Sequence, residues 1–175
     1  MLDLNTPAYP IATASLIANM NMATARKWVQ NEWVKFSKHD APAEVAGATA
    51  RLSPRRILQL AIAARLVDEG MHPKTACKAA LQFTDFSNPL EAPGHARQPG
   101  ELFGGKARTV LCCYPDGSSV VMRVDSSTRF DQVLTPAGGQ TRQARYGQAH
   151  VLELDGIVKH LDVSLKASSG GHVLG

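Results

Sequence analysis

Apolar positions fall at helical spacing through the first half of the chain, and polar turns interrupt them. In IATASLIANM (residues 11–20), Leu16, Ile17 and Met20 stand at i, i+1 and i+4, a one-face helical pattern after an irregular lead-in over 1–9. Thr13 or Ser15 is the candidate cap of this helix. Asn21, which tolerates left-handed backbone, is its expected stop. A second short helix fits 22–32, with Ala25, Trp28 and Val29 inward and Thr24, Arg26, Lys27, Gln30 and Asn31 outward. WVKFS (33–37) alternates and is β-branched and aromatic, so a short strand is predicted. KHDAPAEVAGA (38–48), with Pro42 and Gly47, reads as a loop, and TARLS (49–53) as the returning strand.

Ser53-Pro54 marks a helix start, serine as N-cap and proline in the first turn. That helix presents Ile57, Leu60, Ala61, Ala64, Leu66 and Val67 on one broad face and stops at Gly70. His72-Pro73 opens another, carrying Ala76, Cys77, Ala80, Leu81 and Phe83. From Ser87 to Gly105 the composition shifts: three prolines and four glycines predict a linker or an irregular surface segment. Then 107–114 and 118–124, rich in β-formers, flank Pro115-Asp116-Gly117 and predict a hairpin. Residues 135–148, with Arg142 and Arg145, are loop-like, and 149–154 reads as a strand. Leu154, Ile157, Val158, Leu161 and Leu165 give a 3.6-residue stripe and a helix over 154–166, which Gly156 weakens. The last eight residues, SSGGHVLG, read as a frayed tail. The fold class expected is α+β: a helical domain with a β-wing over 10–84, a Pro/Gly-rich linker over 85–105, and a small mixed domain over 106–167 with a β-hairpin and a C-terminal helix.

Composition narrows the function classes. A hydrophobic fraction of 44% in 175 residues supports a packed core. No run of about 18 apolar residues exists to cross a bilayer, so no membrane partner is expected. The start, MLDLNTPAYP, has no basic region followed by an apolar one, and three cysteines, two adjacent, make no disulfide framework. Both point to a reducing cytoplasm. The net charge of +4 is concentrated. Residues 20–56 hold Arg26, Lys27, Lys35, Lys38, Arg51, Arg55 and Arg56 against Glu32, Asp40 and Glu44, a balance equal to that of the whole chain. Such a cluster is compatible with nucleic acid.

The order helix, tight turn, helix, hairpin, helix, helix is that of a winged helix-turn-helix. The stretch Thr24-Ala25-Arg26-Lys27-Trp28 resembles the T-x-R-x-aromatic signature in the second helix of MerR-type winged helix-turn-helix proteins. Arg51-Leu52-Ser53 stands where that family carries arginine, an aromatic and Ser/Thr at the end of the wing. The resemblance covers about residues 10–84 and has departures. Glu32-Trp33 replaces the usual Gly-Leu after the second helix, Leu52 the aromatic, and Arg56 a frequent acidic residue; no long heptad helix follows Phe83. The resemblance implies double-stranded DNA as the partner, with Thr24, Arg26 and Lys27 at phosphates or base edges, Trp28 as core anchor and Arg51 on the backbone. Further DNA-binding candidates are Gln30 on the outward face of the second helix, Lys35 and Lys38 on the wing, and Arg55 by its charge at a helix start.

Catalytic and metal chemistry find little support. No nucleophile elbow, phosphate-binding loop or zinc-protease motif occurs, and Asp125-Ser126-Ser127 reads as a turn, so no enzyme is expected. Cys112 and Cys113 would project to opposite faces of a strand, and no histidine pair has ligand spacing; neither cofactor nor metal is expected. The expected function is sequence-specific transcription regulation by a homodimer. Its interface would use Val110, Val120, Val121, Leu154, Ile157, Val158 and Leu161, or the same segment would sense an effector. The alternatives are a phage-type accessory DNA-binding protein, similar to an excisionase or a terminase small subunit, and a protein-interaction adaptor.

Overall fold

The computed structural model describes residue 4 and residues 9–41, 50–87, 97–134 and 148–170. The protein is α+β. In chain order the elements are β1 (Tyr9–Pro10), α1 (Ile11–Ile17), α2 (Met22–Gln30), β2 (Arg51–Leu52), α3 (Pro54–Asp68), α4 (Pro73–Thr84), β3 (Arg108–Cys113), β4 (Ser119–Val124), α5 (Phe130–Leu134), β5 (His150–Glu153) and α6 (Asp155–Gly170). Contacts divide the chain into two compact units, Met1–Lys78 with Gly156–Gly175, and Ala79–Asp155. The division runs through α4, where the sequence places a boundary at 84, and it groups α6 with the N-terminal elements.

In the first unit α1 packs on α2 and α3 and touches both short strands. Its buried face is Ile11, Ala14, Ser15, Ile17 and Ala18; of the expected stripe Ile17 is buried, whereas Leu16 is 79% exposed and Met20 only partly covered. Neither Thr13 nor Ser15 caps it. Pro10 occupies the N-cap position, and the Ser15 hydroxyl donates back to the Ala12 carbonyl at 2.8 Å. The left-handed residue that ends α1 is Asn19 (φ 54°), with Met20 N–H reaching the Ser15 carbonyl. Asn21 has the opposite task to the one expected. It is the N-cap of α2, its side chain accepting from Ala23 N–H at 2.8 Å and Thr24 N–H at 3.4 Å.

The predicted strand over 33–37 does not form. Glu32 turns left-handed (φ 56°), Trp33 and Val34 N–H close onto the Trp28 carbonyl, and Val34 is buried. The alternation there comes from one side chain plugging the core, not from a strand. The returning strand is only β2, and it pairs antiparallel with β1, from the lead-in read as irregular: Tyr9 faces Leu52 and Pro10 faces Arg51. Ala41 and Arg51 form an isolated antiparallel bridge. Residues 42–49 lie outside the described residues.

α3 begins as expected, the Ser53 side chain accepting from Arg56 N–H, with Pro54 in the first turn. It ends on Gly70 at φ 93°. Every residue from Arg56 to Ala63 is buried, so this helix is enclosed all round and not on one face alone. Leu58, Ile62 and Ala63 fill what was expected to be its outer side. Gln59 stays inside because it accepts from Arg56 and donates to the Cys77 carbonyl at 3.1 Å.

In the second unit β3 is the central strand of an antiparallel sheet ordered β4-β3-β5. The hairpin forms where predicted. Gly117 takes φ 78° in its turn, and the Asp116 carboxylate accepts from the backbone and hydroxyl of Ser118. One sheet face gathers Val110, Cys112 and Tyr114 with Val120, Met122 and Val124. Val133 of α5, a short helix the sequence did not suggest, joins that cluster, and the Tyr114 hydroxyl donates to its carbonyl at 3.1 Å. β5 leads directly into α6, which runs four residues past its predicted end at 166.

The linker expected over 85–105 is folded where described. Arg97 is buried and donates to the carbonyls of Gln82, Phe83, Phe86, Gln98 and Glu101 at 2.7–3.5 Å. Its guanidinium also lies 4.9 Å from the Phe83 ring centroid. Two of those carbonyls belong to the last turn of α4, where helix carbonyls lack internal partners. Among the described residues no helix is long and apolar enough to cross a membrane.

Candidate nucleic-acid interface

α2 is a short helix held at three points. Asn21 caps its start, the reversal at Asn19 joins it tightly to α1, and its inner seam is Ala25 and Trp28, at 0% and 3% exposure. A buried tryptophan fixes the rotation of the helix, since truncating such a side chain costs about 3–5 kcal/mol. At 100° per residue, Arg26, Gln30 and Lys27 fall on the arc opposite that seam, with Thr24 at its margin. All four are exposed. No acidic residue occupies the first turn, so the partial positive charge of the helix N-terminus stands unopposed there.

The remaining candidates lie on the segments after α2. Lys35 and Lys38 are exposed on the irregular stretch before the Ala41–Arg51 bridge, and Arg51 is exposed on β2. Among the described residues, Arg26, Lys27, Lys35, Lys38 and Arg51 make no side-chain ion pair or hydrogen bond, so these cations are uncommitted. Arg55 differs: it is half-buried on the first turn of α3 and has a partner of its own. Arg142 and Arg145 lie outside the described residues.

The residue that organises this region is one the sequence reading passed over. The Asp40 side chain is 0% exposed. Its Oδ2 accepts from Ser37 N–H at 2.6 Å and Ser37 Oγ–H at 2.7 Å, and its Oδ1 accepts from Ser53 N–H at 2.6 Å. Arg56 Nε stands 3.6 Å from Oδ2, with 3% of that side chain exposed. Arg56, a departure from the family pattern, is thus the buried counterion of an acid contributed by the preceding loop. The available signal was the Ser37-x-x-Asp40 spacing, which suits a side-chain-closed turn.

All three cysteines are free thiols and buried. Cys112 lies in the apolar cluster with its Sγ 3.7 Å from Met122 Sδ, and Cys113 points to the other face of β3. Burial pushes the Cys77 thiol up to about 12. Burial likewise raises Cys112 to about 11, against a smaller lowering by the Tyr114 hydrogen bond. Burial, with the neighbouring Cys112, raises the Tyr114 phenol as well. Thiols held neutral in this way are poor nucleophiles and poor soft-metal ligands. Among the described residues no group of three or more His, Cys, Asp or Glu side chains is placed to hold an ion. Asp125 closes a turn, accepting from Ser127 N–H and Oγ–H, and those bonds hold its carboxyl below the usual range.

Of the seven residues expected at the dimer interface, Val110, Val121, Leu154 and Leu161 are buried within the protomer, and only Val120, Ile157 and Val158 retain partial exposure. The first four serve the core and are not free for a partner. No known protein-family model matches this chain, and no curated protein matches it.

Proposed function

We propose that the first unit is a divergent winged helix-turn-helix that binds double-stranded DNA, with α2 in the major groove, and that the protein is a sequence-specific transcription regulator. The observation that carries this reading is the outward arc of α2. Arg26, Lys27, Gln30 and Thr24 are exposed and uncommitted on a helix whose rotation Trp28 and Asn21 fix. Arginine, lysine and glutamine are the side chains that read guanine and adenine edges in that groove. Lys35, Lys38 and Arg51 supply phosphate contacts from the segment in the wing position, which set register without reading sequence. A dimer would place two such helices on half-sites one helical turn apart, roughly 34–36 Å, and read an inverted repeat.

The test is a gel shift on fragments upstream of the protein's own gene. Arg26→Ala is expected to lose about 1–3 kcal/mol of discrimination for the specific site, with an unchanged melting curve. Wild-type protein that fails to bind DNA at any salt concentration overturns the reading. A footprint of one short palindrome favours a regulator; several direct repeats favour an accessory DNA-binding protein.

A further inference from the structure

We infer that Asp40 is a positioning residue for DNA binding: it locks Lys38 and Arg51 into one fixed phosphate-binding pair. The inference rests on the DNA-binding reading above and adds to it the device that gives the wing its rigidity. Lys38 is a central residue of the turn Ser37–Asp40, which Asp40 N–H closes onto the Ser37 carbonyl at 3.0 Å. The Asp40 carboxylate closes the same turn a second time, through Ser37 N–H and Oγ–H. Arg51 lies two residues before Ser53, whose N–H Asp40 also holds. Ala41, next to Asp40, exchanges both backbone hydrogen bonds with Arg51, at 3.0 and 2.8 Å. One buried side chain therefore joins the turn that carries Lys38 to the strand that carries Arg51. Arg56 Nε, 3.6 Å from Asp40 Oδ2, places a countercharge beside the carboxylate in the interior. Exposed lysine and arginine side chains on a mobile loop lose much of their contact energy to ordering on binding, and a fixed base removes part of that loss.

The experiment measures binding of the full chain to a fluorescein-labelled duplex of mixed sequence, two helical turns long, from about 50 to 200 mM salt, where each phosphate contact adds about 0.9 to the slope of log K against log salt. Four proteins are compared: wild type, Asp40→Asn, Lys38→Ala/Arg51→Ala, and the triple variant. Each is measured well below its own melting midpoint. Asp40→Asn is expected to weaken binding about tenfold at the lower salt and to reduce the slope by about one to two contacts, matching the double variant. The triple variant is expected to lose less than about twofold more than the double. Ser37→Ala, which keeps the charge and removes one donor, is expected to fall between wild type and Asp40→Asn, and it carries the comparison if Asp40→Asn does not fold. A wild-type slope in Asp40→Asn (or in Ser37→Ala as its substitute), or losses that add in the triple variant, overturns the inference and leaves the DNA-binding reading intact. Wild-type protein that binds no duplex at any salt overturns both.

Discussion

Asp40 in the first unit and Arg97 in the second perform the same task with opposite charge. Each is a buried ion on an irregular segment, and each collects backbone groups that would otherwise lack partners. The signs follow the helix poles. Asp40 accepts from Ser53 N–H, at the start of α3, where amides are in surplus; Arg97 donates to Gln82 and Phe83 carbonyls, at the end of α4, where carbonyls are in surplus. The difference lies in reach. A carboxylate only accepts, and Asp40 needs Arg56 beside it. A guanidinium offers a planar fork of donors, and Arg97 spans carbonyls from Gln82 to Glu101. Asp40 ties two nearby strands of chain; Arg97 turns a stretch read as linker into part of a fold.

The comparison is sharpest if each ion can be removed and its own unit followed. Both tryptophans, Trp28 and Trp33, belong to the first unit, so their fluorescence reports that unit in a denaturant titration. Amide exchange of β3 reports the second. Asp40→Ala is expected to cost about 3–5 kcal/mol, the loss typical when one member of a buried ion pair is deleted, and Arg97→Met a similar amount, since it leaves several carbonyls without their donor at about 1–3 kcal/mol for each buried one. Arg97→Met is expected to lower β3 protection and leave the tryptophan midpoint in place, and Asp40→Ala the reverse. Arg97→Lys tests the role of the fork: charge without planar geometry is expected to recover less than half of the loss. If both variants shift both probes equally, the two ions do not serve separate units.

A smaller effect tests the helix ends. α1, α2 and α3 close in the same way, on a left-handed residue, but only α3 uses glycine; α1 uses Asn19 and α2 uses Glu32. Glu32→Gly is expected to raise stability by about 1 kcal/mol, since left-handed backbone costs a side-chain-bearing residue roughly 1–2 kcal/mol. The measurement is the tryptophan midpoint. A further effect appears only at high pH. The folded thiols of Cys77 and Cys112 are raised from 9.0 to about 12 and about 11. Raised values favour the neutral folded form, so their contribution is complete below about pH 9 and is lost as pH rises through the folded values. Both losses are therefore expected to begin near pH 9, that of Cys112 levelling off near 11 while that of Cys77 continues to about 12, and Cys112→Ala is expected to flatten the dependence in β3 amide exchange.

Much of the fold was legible where local chemistry decides it. Ser53-Pro54 and Gly70 bound α3, His72-Pro73 opens α4, Asp116-Gly117 turns the hairpin, and the exposed face of α2 follows from the positions of Ala25 and Trp28. The larger misses come from side chains that act at a distance in sequence, the smaller ones from neighbours that compete for one local task. Val34 alternates as in a strand because one residue plugs the core. Asn19 and Asn21, two positions apart, divide the stop of one helix from the cap of the next, and composition does not say which does which. Polarity sends Asp40, Arg56 and Arg97 to the surface, yet all three side chains are buried because backbone amides, carbonyls and one another meet their charge. For the candidate site, the exposed cations of α2 were visible in the sequence; the acid that braces the neighbouring basic residues was not.

The double closure at Asp40–Ser53 and Ala41–Arg51 has a practical corollary. The chain between residues 42 and 49 begins and ends on bonds made outside it. Those between Ala41 and Arg51 join positions ten residues apart in sequence, and the closure entropy they offset grows slowly, by about 0.6 kcal/mol for each doubling of the separation. The two closures hold Ser37–Ala41 to Arg51–Ser53 through backbone groups and one buried carboxylate, so replacing either exposed cation, Lys38 or Arg51, leaves the register of the two segments in place.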